Sequence, residues 1–404
     1  MQLIPSLLQG GAERVLSDLV THMPDTVSSS VVTLLDEEPA FDVGSIPITT
    51  LGIRRGHADP RAIPRLLAQV RKLKPDVIHA WMYHCNLLTA CTLSTPIIWS
   101  IHNTTLPSGQ TRLLTRTVDR LSAVLSPVVP ARIVYCAEKA RQEHEARGYM
   151  VSKGIVIRNG VDVACFPPNE RLRAAKRQEL GIRPDDTLLG VVARFDPQKD
   201  FANVLAAFAR VLRQRPTAKL ALVGRGNEPS NTELVALCRS FDVLDHVLFL
   251  GVVRDIHGIL SAIDILVIGS AFGEALPMAA LEAAAAHVPI ITTDVADFAE
   301  LGFAEEDIVP SGNSERLAEA VLARLAKQGQ PEDAHRLSEI AARVDATFSL
   351  QTMIREYVRV YFESCPRTSQ LRGENGPLTN TDQEKDLTYS ILSDEKELLP
   401  WGGI

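Results

Sequence analysis

Six cysteines in 404 residues stand at 85, 91, 136, 165, 238 and 365, and no two form a C-x-x-C pair. Such scatter reads as reduced thiols and argues against a disulfide framework or a cysteine zinc site. Aromatics make up only 5% of the chain, so the interior is expected to consist of the Leu, Val, Ile and Ala that dominate its 46% hydrophobic share. No uncharged apolar run reaches the roughly 18 residues that a membrane span needs. The opening segment MQLIPSLLQGGAERV has no basic n-region and meets Gly10 and Gly11 too early for a signal peptide. The expectation is a cytoplasmic protein, soluble or peripheral at the inner face of a membrane. Positive charge is also short, with 42 Lys and Arg against 49 Asp and Glu and a net charge of −7. That balance argues against nucleic acid as the main partner. Through residue 165, however, Lys and Arg lead by 17 to 14, and over 166–364 they trail by 21 to 28, so only the N-terminal half is basic. A Walker A loop, a nucleophile elbow, H-E-x-x-H and any D-x-D pair are missing too, which leaves no metal or cofactor signature.

What is present is a rhythm. Short apolar runs alternate with amphipathic segments, the pattern of an α/β protein. Strands are predicted at 2–7, 30–35, 47–51, 76–80, 96–101, 132–136 and 154–157, with helices at 11–22, 61–73, 85–94, 111–126 and 138–147. A second series has strands at 187–193, 219–223, 247–250, 264–268 and 289–293. Its helices fall near 201–214, 230–240, 256–262, 277–286 and 314–327. Each series suits a doubly wound parallel sheet. Prolines and charges interrupt the rhythm at 162–186, which marks the boundary between domains 1–165 and 166–348. Two helices follow at 331–346 and 349–364, and the polar stretch 365–404 is expected to be disordered.

Four groups of residues can carry chemistry. Gly10 and Gly11 stand between a strand and a helix, where the backbone can approach an anion at the helix N-terminus. A tight turn that needs glycine explains them equally well. Arg194 and Lys199 follow the first strand of the second series, at the end where open α/β sheets bind ligands. They can clamp a diphosphate, or Arg194 can pair with Asp196 while Lys199 stays solvated. Glu274 precedes Pro277, a residue suited to a first helical turn, and Glu282 lies about a turn and a half inside the helix. Both carboxylates can accept bonds from vicinal hydroxyls, with the N–H groups near 275–278, including Ala275 and Leu276, free for a phosphate. His79, His84 and His102 follow strands at their carboxyl ends, and each serves either as a structural hydrogen-bonding residue or as a reactive one. His102 is the best placed of the three.

Taken in order, QGGAERV, DVIHAWMYHCNLL, IHNTT, IRNGVD, ARFDPQKD, ALVGRGNE, VLFLGVVRD and the E-x7-E of GEALPMAALEA resemble glycosyltransferase family 4 from about residue 3 to 362. The resemblance implies a GT-B fold: two Rossmann-like, doubly wound parallel-sheet domains facing across a cleft. The first would hold the acceptor, the second the nucleotide-sugar donor, and 349–364 would cross back to the first. It further implies a retaining transfer that needs no metal and no cofactor. Gly10 and Gly11 would touch the donor diphosphate from one side, and Arg194 and Lys199 from the other. Glu274 would bond the donor sugar, Glu282 the ribose, and His102 would lie near the anomeric carbon. Ala275 replaces a frequent glycine, and His287 stands where the family usually ends this helix with glycine. The D-x-D metal pair of the other common sugar-transferase architecture is the one absent above.

The acceptor is less legible. Segment 54–74 holds seven cations and one acid, and Arg112, Arg116 and Arg120 recur every four residues on one helical stripe. With His84, these mark the acceptor side. They suit an anionic membrane or a lipid-linked acceptor in cell-surface polysaccharide or glycolipid assembly, and they also suit a solvated basic face. Two other activities share the motifs: a nucleotide-sugar-binding protein without catalysis, and a sugar epimerase that needs no acceptor.

Overall fold

The computed structural model describes residues 1–365 except 9, 42, 55–58, 108, 110 and 297 and the side chain of 299. The tail beyond 365, expected to be disordered, lies outside the described residues, as do Arg55 and His57 of the basic segment. The inner strands are buried on both faces, as helices packed on both sides of a parallel sheet require. The first sheet comprises β1 (Gln2–Ile4), β2 (Val31–Leu35), β3 (Ile48–Ile53), β4 (Ile78–Trp81), β5 (Ile97–Ile101), β6 (Arg132–Tyr135) and β7 (Gly154–Val156). Its order is β3-β2-β1-β4-β5-β6-β7, all parallel. Interleaved with it are α1 (Gly11–Thr21), α2 (Ala62–Leu73), α3 (Met82–Leu88), α4 (Leu113–Leu125) and α5 (Glu138–Ala146).

The second sheet is built from β8 (Leu188–Val192), β9 (Lys219–Val223), β10 (Val247–Gly251), β11 (Ile265–Ile268), β12 (Ile290–Thr293) and β13 (Ile308–Val309). It is parallel in the order β10-β9-β8-β11-β12-β13. The remaining helices are α6 (Glu170–Glu179), α7 (Phe201–Gln214), α8 (Thr232–Ser240), α9 (Ile256–Ala262), α10 (Met278–Ala285), α11 (Ser314–Lys327), α12 (Pro331–Phe348) and α13 (Leu350–Ser364). The two orders share one feature that positions a site. Each reverses direction beside its first strand, at β1/β4 and at β8/β11. Such a reversal opens a crevice at the carboxyl ends of the two strands.

Several boundaries differ from the sequence reading. The first strand stops at Ile4 because Pro5 has no N–H to continue the ladder, although its carbonyl still accepts from Leu35 at 3.0 Å. Helix α3 starts at Met82, three residues before the predicted 85, through a left-handed Met82 (φ 67°) that turns the chain directly out of β4. The interrupted stretch 162–186 contains α6. Arg173 and Arg177 fasten it to Asp264 and to the carbonyl of Ala262 ahead of β11. Strand β13 is too short, at two residues, to register as an apolar run. His287 closes α10 in the left-handed region (φ 57°), at a cost of about 1 kcal/mol that glycine would avoid.

The chain crosses between the sheets twice. Val161 bridges Ser349 in parallel register, with Val161 donating to Phe348 O at 2.9 Å and Leu350 to Val161 O at 3.0 Å. Helix α13 then lies on the first sheet. There Tyr361 Oη meets His79 Nδ1 at 2.7 Å and accepts from Gln2 Nε2 at 3.1 Å. His79 Nε2 reaches Ser100 Oγ at 2.6 Å. Both ring nitrogens are thus engaged and the side chain is buried, so His79 is a structural tether. Arg158 and Glu300 add a two-bond ion pair between the halves, at 2.6 and 2.9 Å.

Candidate active site

The second crevice lies between β8 and β11. Beyond β8 the chain makes a short helical turn at Pro197–Lys199, capped by the Asp196 side chain, which accepts from Gln198 N at 3.0 Å. Asp200 follows at φ 45° and caps α7 through Asn203 N. The turn therefore holds Lys199 in a fixed place at the strand end. Beyond β11, Gly273 (φ 76°) bends the backbone, and a Cβ there would sit 3.2 Å from Gln198 Nε2 and 3.4 Å from Thr105 O. This bend carries Glu274 back toward β8, where Lys199 Nζ donates to Glu274 Oε1. Ser270 Oγ donates to the same oxygen at 2.7 Å. Glu274 as a whole is 6% exposed. Ala275 and Leu276 are buried, and their N–H groups donate to nothing among the described residues.

Lys199 is therefore paired across the crevice and is not solvated, whereas Arg194 bonds Asp196 at 3.3 Å. Glu282 sits deeper along α10 at 7% exposure, and burial pushes its carboxyl up to about 7. Arg14 of α1 pulls it down from across the cleft, and Asp18 pushes it up. Arg14 Nε in turn donates to Asp18 Oδ2 at 2.9 Å.

The first domain faces this wall. Gly11 opens α1 with empty space where a side chain would stand, and a Cβ on Gly10 would strike the folded-back Glu13 side chain. His102 follows β5 and stacks on Trp81, with ring centroids 5.1 Å apart and planes 19° apart. Burial lowers it to about 4, with Asn159 acting the other way, so the ring is neutral near pH 7. Both its nitrogens and Asn159 Oδ1 are buried without hydrogen-bond partners among the described residues. Those orphaned polar atoms, close to a neighbouring carboxamide, are what a polar ligand would satisfy. Thr104 donates through its hydroxyl to Glu274 O at 3.0 Å and through its N–H to Gly273 O at 3.3 Å. Asn159 Nδ2 donates to Leu276 O at 3.0 Å. Thr104 of IHNTT and Asn159 of IRNGVD thus join the two cleft walls, a role that the sequence alone does not signal. His84 is exposed on α3, Arg112 is exposed ahead of α4, and Arg116 is half-buried within it.

The residues that build these paired crevices lie within two stretches of sequence that match known families. Residues 9–164 match Glycosyltransferase Family 4, and residues 173–344 match Glycosyl transferases group 1. The chain belongs to glycosyltransferase family 4. Over 139 residues it is 32% identical to EpsF of Bacillus subtilis, a stretch spanning 34% of this chain and only 35% of that one. Over 334 residues it is 27% identical to the glycogen synthase of Mycobacterium tuberculosis, covering 80% of this glycosyltransferase and 76% of the relative. The crystal structure of Anabaena HepE in complex with UDP-glucose superposes with a TM-score of 0.76 at 18% identity, over 89% and 99% of the two chains. At that identity the match speaks to the fold, which is GT-B. Among the described residues no helix is long and apolar enough to cross a membrane.

Proposed function

We propose that this glycosyltransferase moves a sugar from a nucleoside diphosphate donor to an acceptor hydroxyl, with retention and without a metal cofactor. The observation that carries the reading is the Lys199–Glu274 pair at the β8/β11 crevice. It offers one cation for a leaving diphosphate and one carboxylate for sugar hydroxyls, beside free N–H groups. Glu282 would take the ribose, and Gly11 would let the α1 N-terminus approach the diphosphate. The bond from anomeric carbon to phosphate oxygen breaks, and its electron pair stays on the diphosphate, where Lys199 and the helix ends stabilise it. The acceptor oxygen bonds the anomeric carbon from the same face and passes its proton to the departing phosphate oxygen. Neutral His102 borders the sugar without adding charge. Closure of the two walls excludes the water that would otherwise compete.

The test is a thermal-shift panel of UDP, GDP and ADP sugars, with EDTA and with Mg²⁺. One donor class should stabilise the protein by about 2.7 kcal/mol at a hundredfold excess over Kd, equally with chelator. Stabilisation by none of them, or only with Mg²⁺, overturns the reading.

For the acceptor side, α4 supports docking on an anionic bilayer. Its buried face carries Val118, Asp119, Ser122 and Ala123, while Leu113 (75% exposed), Leu121 (47%) and Val124 (74%) point outward. Arg112, Arg116 and Arg120 run along one margin of that apolar face. An interfacial helix has this arrangement, with basic residues each contributing about 1 kcal/mol near an anionic surface. Reversing the three arginines to glutamate is expected to weaken binding to phosphatidylglycerol vesicles at least a hundredfold and to leave neutral vesicles unaffected. Undiminished binding would remove α4 as the docking face.

A further inference from the structure

We infer that Thr104 is a positioning residue for the donor carboxylate, one that sets the Glu274 loop from the opposite domain. The inference rests on the reading that Glu274 faces the donor sugar, and goes beyond it to how the carboxylate is aimed. Thr104 is fully buried and spends both of its donors on consecutive carbonyls of the other domain, those of Gly273 and Glu274. It is held from behind. Arg147, just past α5, donates to Thr104 O at 3.1 Å and stands 3.5 Å from Asp119 Oδ2. Asp119 accepts from Tyr149 Oη at 2.9 Å on the buried face of α4. The preceding residue is fixed as well, since Tyr83 Oη donates to Asn103 Oδ1 at 2.7 Å, with His144 Nε2 at 2.7 Å on its far side.

The consequence is directional. Within its own domain, Glu274 is aimed by Ser270 and Lys199, both on its side chain. Its backbone sits on a left-handed glycine, which resists few rotations, and the two bonds from Thr104 hold it on one side while Asn159 Nδ2 holds Leu276 O further along. They form only when the two walls meet, so the carboxylate is fully aimed only in the closed cleft. An open molecule can hold nucleotide on Lys199 and Glu282 alone. A molecule closed through Thr104 holds Glu274 at the sugar. The chain of contacts also reaches α4, so the helix on the acceptor side supports the residue that sets the donor side.

Thr104→Val keeps the shape and removes the hydroxyl donor, Thr104→Ser keeps the donor, and Arg147→Met releases the support. With UDP as the nucleotide probe and the donor that passes the panel above as substrate, Thr104→Val is expected to lower kcat about tenfold. The Kd for UDP and the melting temperature should stay within twofold and two degrees, roughly the reach of one lost bond. Thr104→Ser should restore most of kcat, and Arg147→Met should resemble Thr104→Val. Independently of any donor, amide hydrogen exchange over 271–276 in the ligand-free protein should quicken at least about threefold in Thr104→Val and not in Thr104→Ser. Unchanged kcat and unchanged exchange in Thr104→Val would overturn the inference. An equal loss of UDP affinity and melting temperature would also overturn it, by showing a merely structural role. If no nucleotide sugar is accepted but exchange over 271–276 still quickens, the function proposed above fails while the clamp stands.

Discussion

Lys199→Ala is expected to lower turnover by about a hundredfold to a thousandfold, the usual effect of losing one fixed group that stabilises charge developing on a leaving oxygen. It is also expected to destabilise the protein, and the two losses have different origins. The Lys199 and Glu274 side chains are 17% and 8% exposed, so removing the cation strands a buried carboxylate with the Ser270 hydroxyl as its one remaining side-chain partner among the described residues. Breaking one side of such a pair costs about 3 kcal/mol. Adding Glu274→Gln to Lys199→Ala removes the stranded charge and should return most of that stability, while turnover stays at the floor. Urea melts and initial rates on the four members of this cycle separate the effects. Additive stabilities would show that the two groups do not interact. Full turnover in Lys199→Ala would dismiss the diphosphate role, and Arg194, already bonded to Asp196, would become the cation to examine.

How far the sequence foretells this site depends on the kind of contact involved. Lys199, Glu274 and Glu282 are legible because each stands at a fixed offset from a strand end, and strand ends follow from apolar runs such as ILVI at 265–268. The pairing of Lys199 with Glu274 is not legible. Seventy-five residues separate them, and only the adjacency of β8 and β11 brings them together. Thr104 and Asn159 are hidden for the same reason, since their partners are backbone carbonyls of the other domain, which no side-chain pattern reports. Arg14 stands in the motif GGAERV, yet its relation to Glu282 exists only across the closed cleft. The helix boundary at α3 fails for a local reason. A left-handed Met82 is uncommon enough that propensity points to a later start. In α4 the arginine stripe is legible, whereas the outward turn of Leu113, Leu121 and Val124 is not, because helical periodicity alone does not say which face meets the core.

Glu282 sets the second large expectation, through pH. Its folded carboxyl titrates at about 7 against an ordinary 4.5, burial being the cause, and the facing charges are Arg14, which favours the ionised form, and Asp18, which opposes it. A carboxyl raised in this way adds stability that is fully present below about pH 4.5 and is lost as pH rises through 7. Glu282→Gln removes the titration, so the variant should match the wild type near pH 4. At pH 8 it should exceed the wild type by up to about 3 kcal/mol. Denaturant midpoints at the two pH values measure the gap, and a gap that does not change with pH would show that Glu282 is ionised throughout. Ligand reverses the preference. A ribose diol donates to a carboxylate and not to a protonated acid's hydroxyl, so nucleotide binding should favour ionised Glu282 and release a proton near pH 6. Calorimetry in buffers of different ionisation enthalpy should detect that proton in the wild type and none in Glu282→Gln. The carboxylate that destabilises the empty cleft at neutral pH is then the group that makes the cleft prefer a nucleotide.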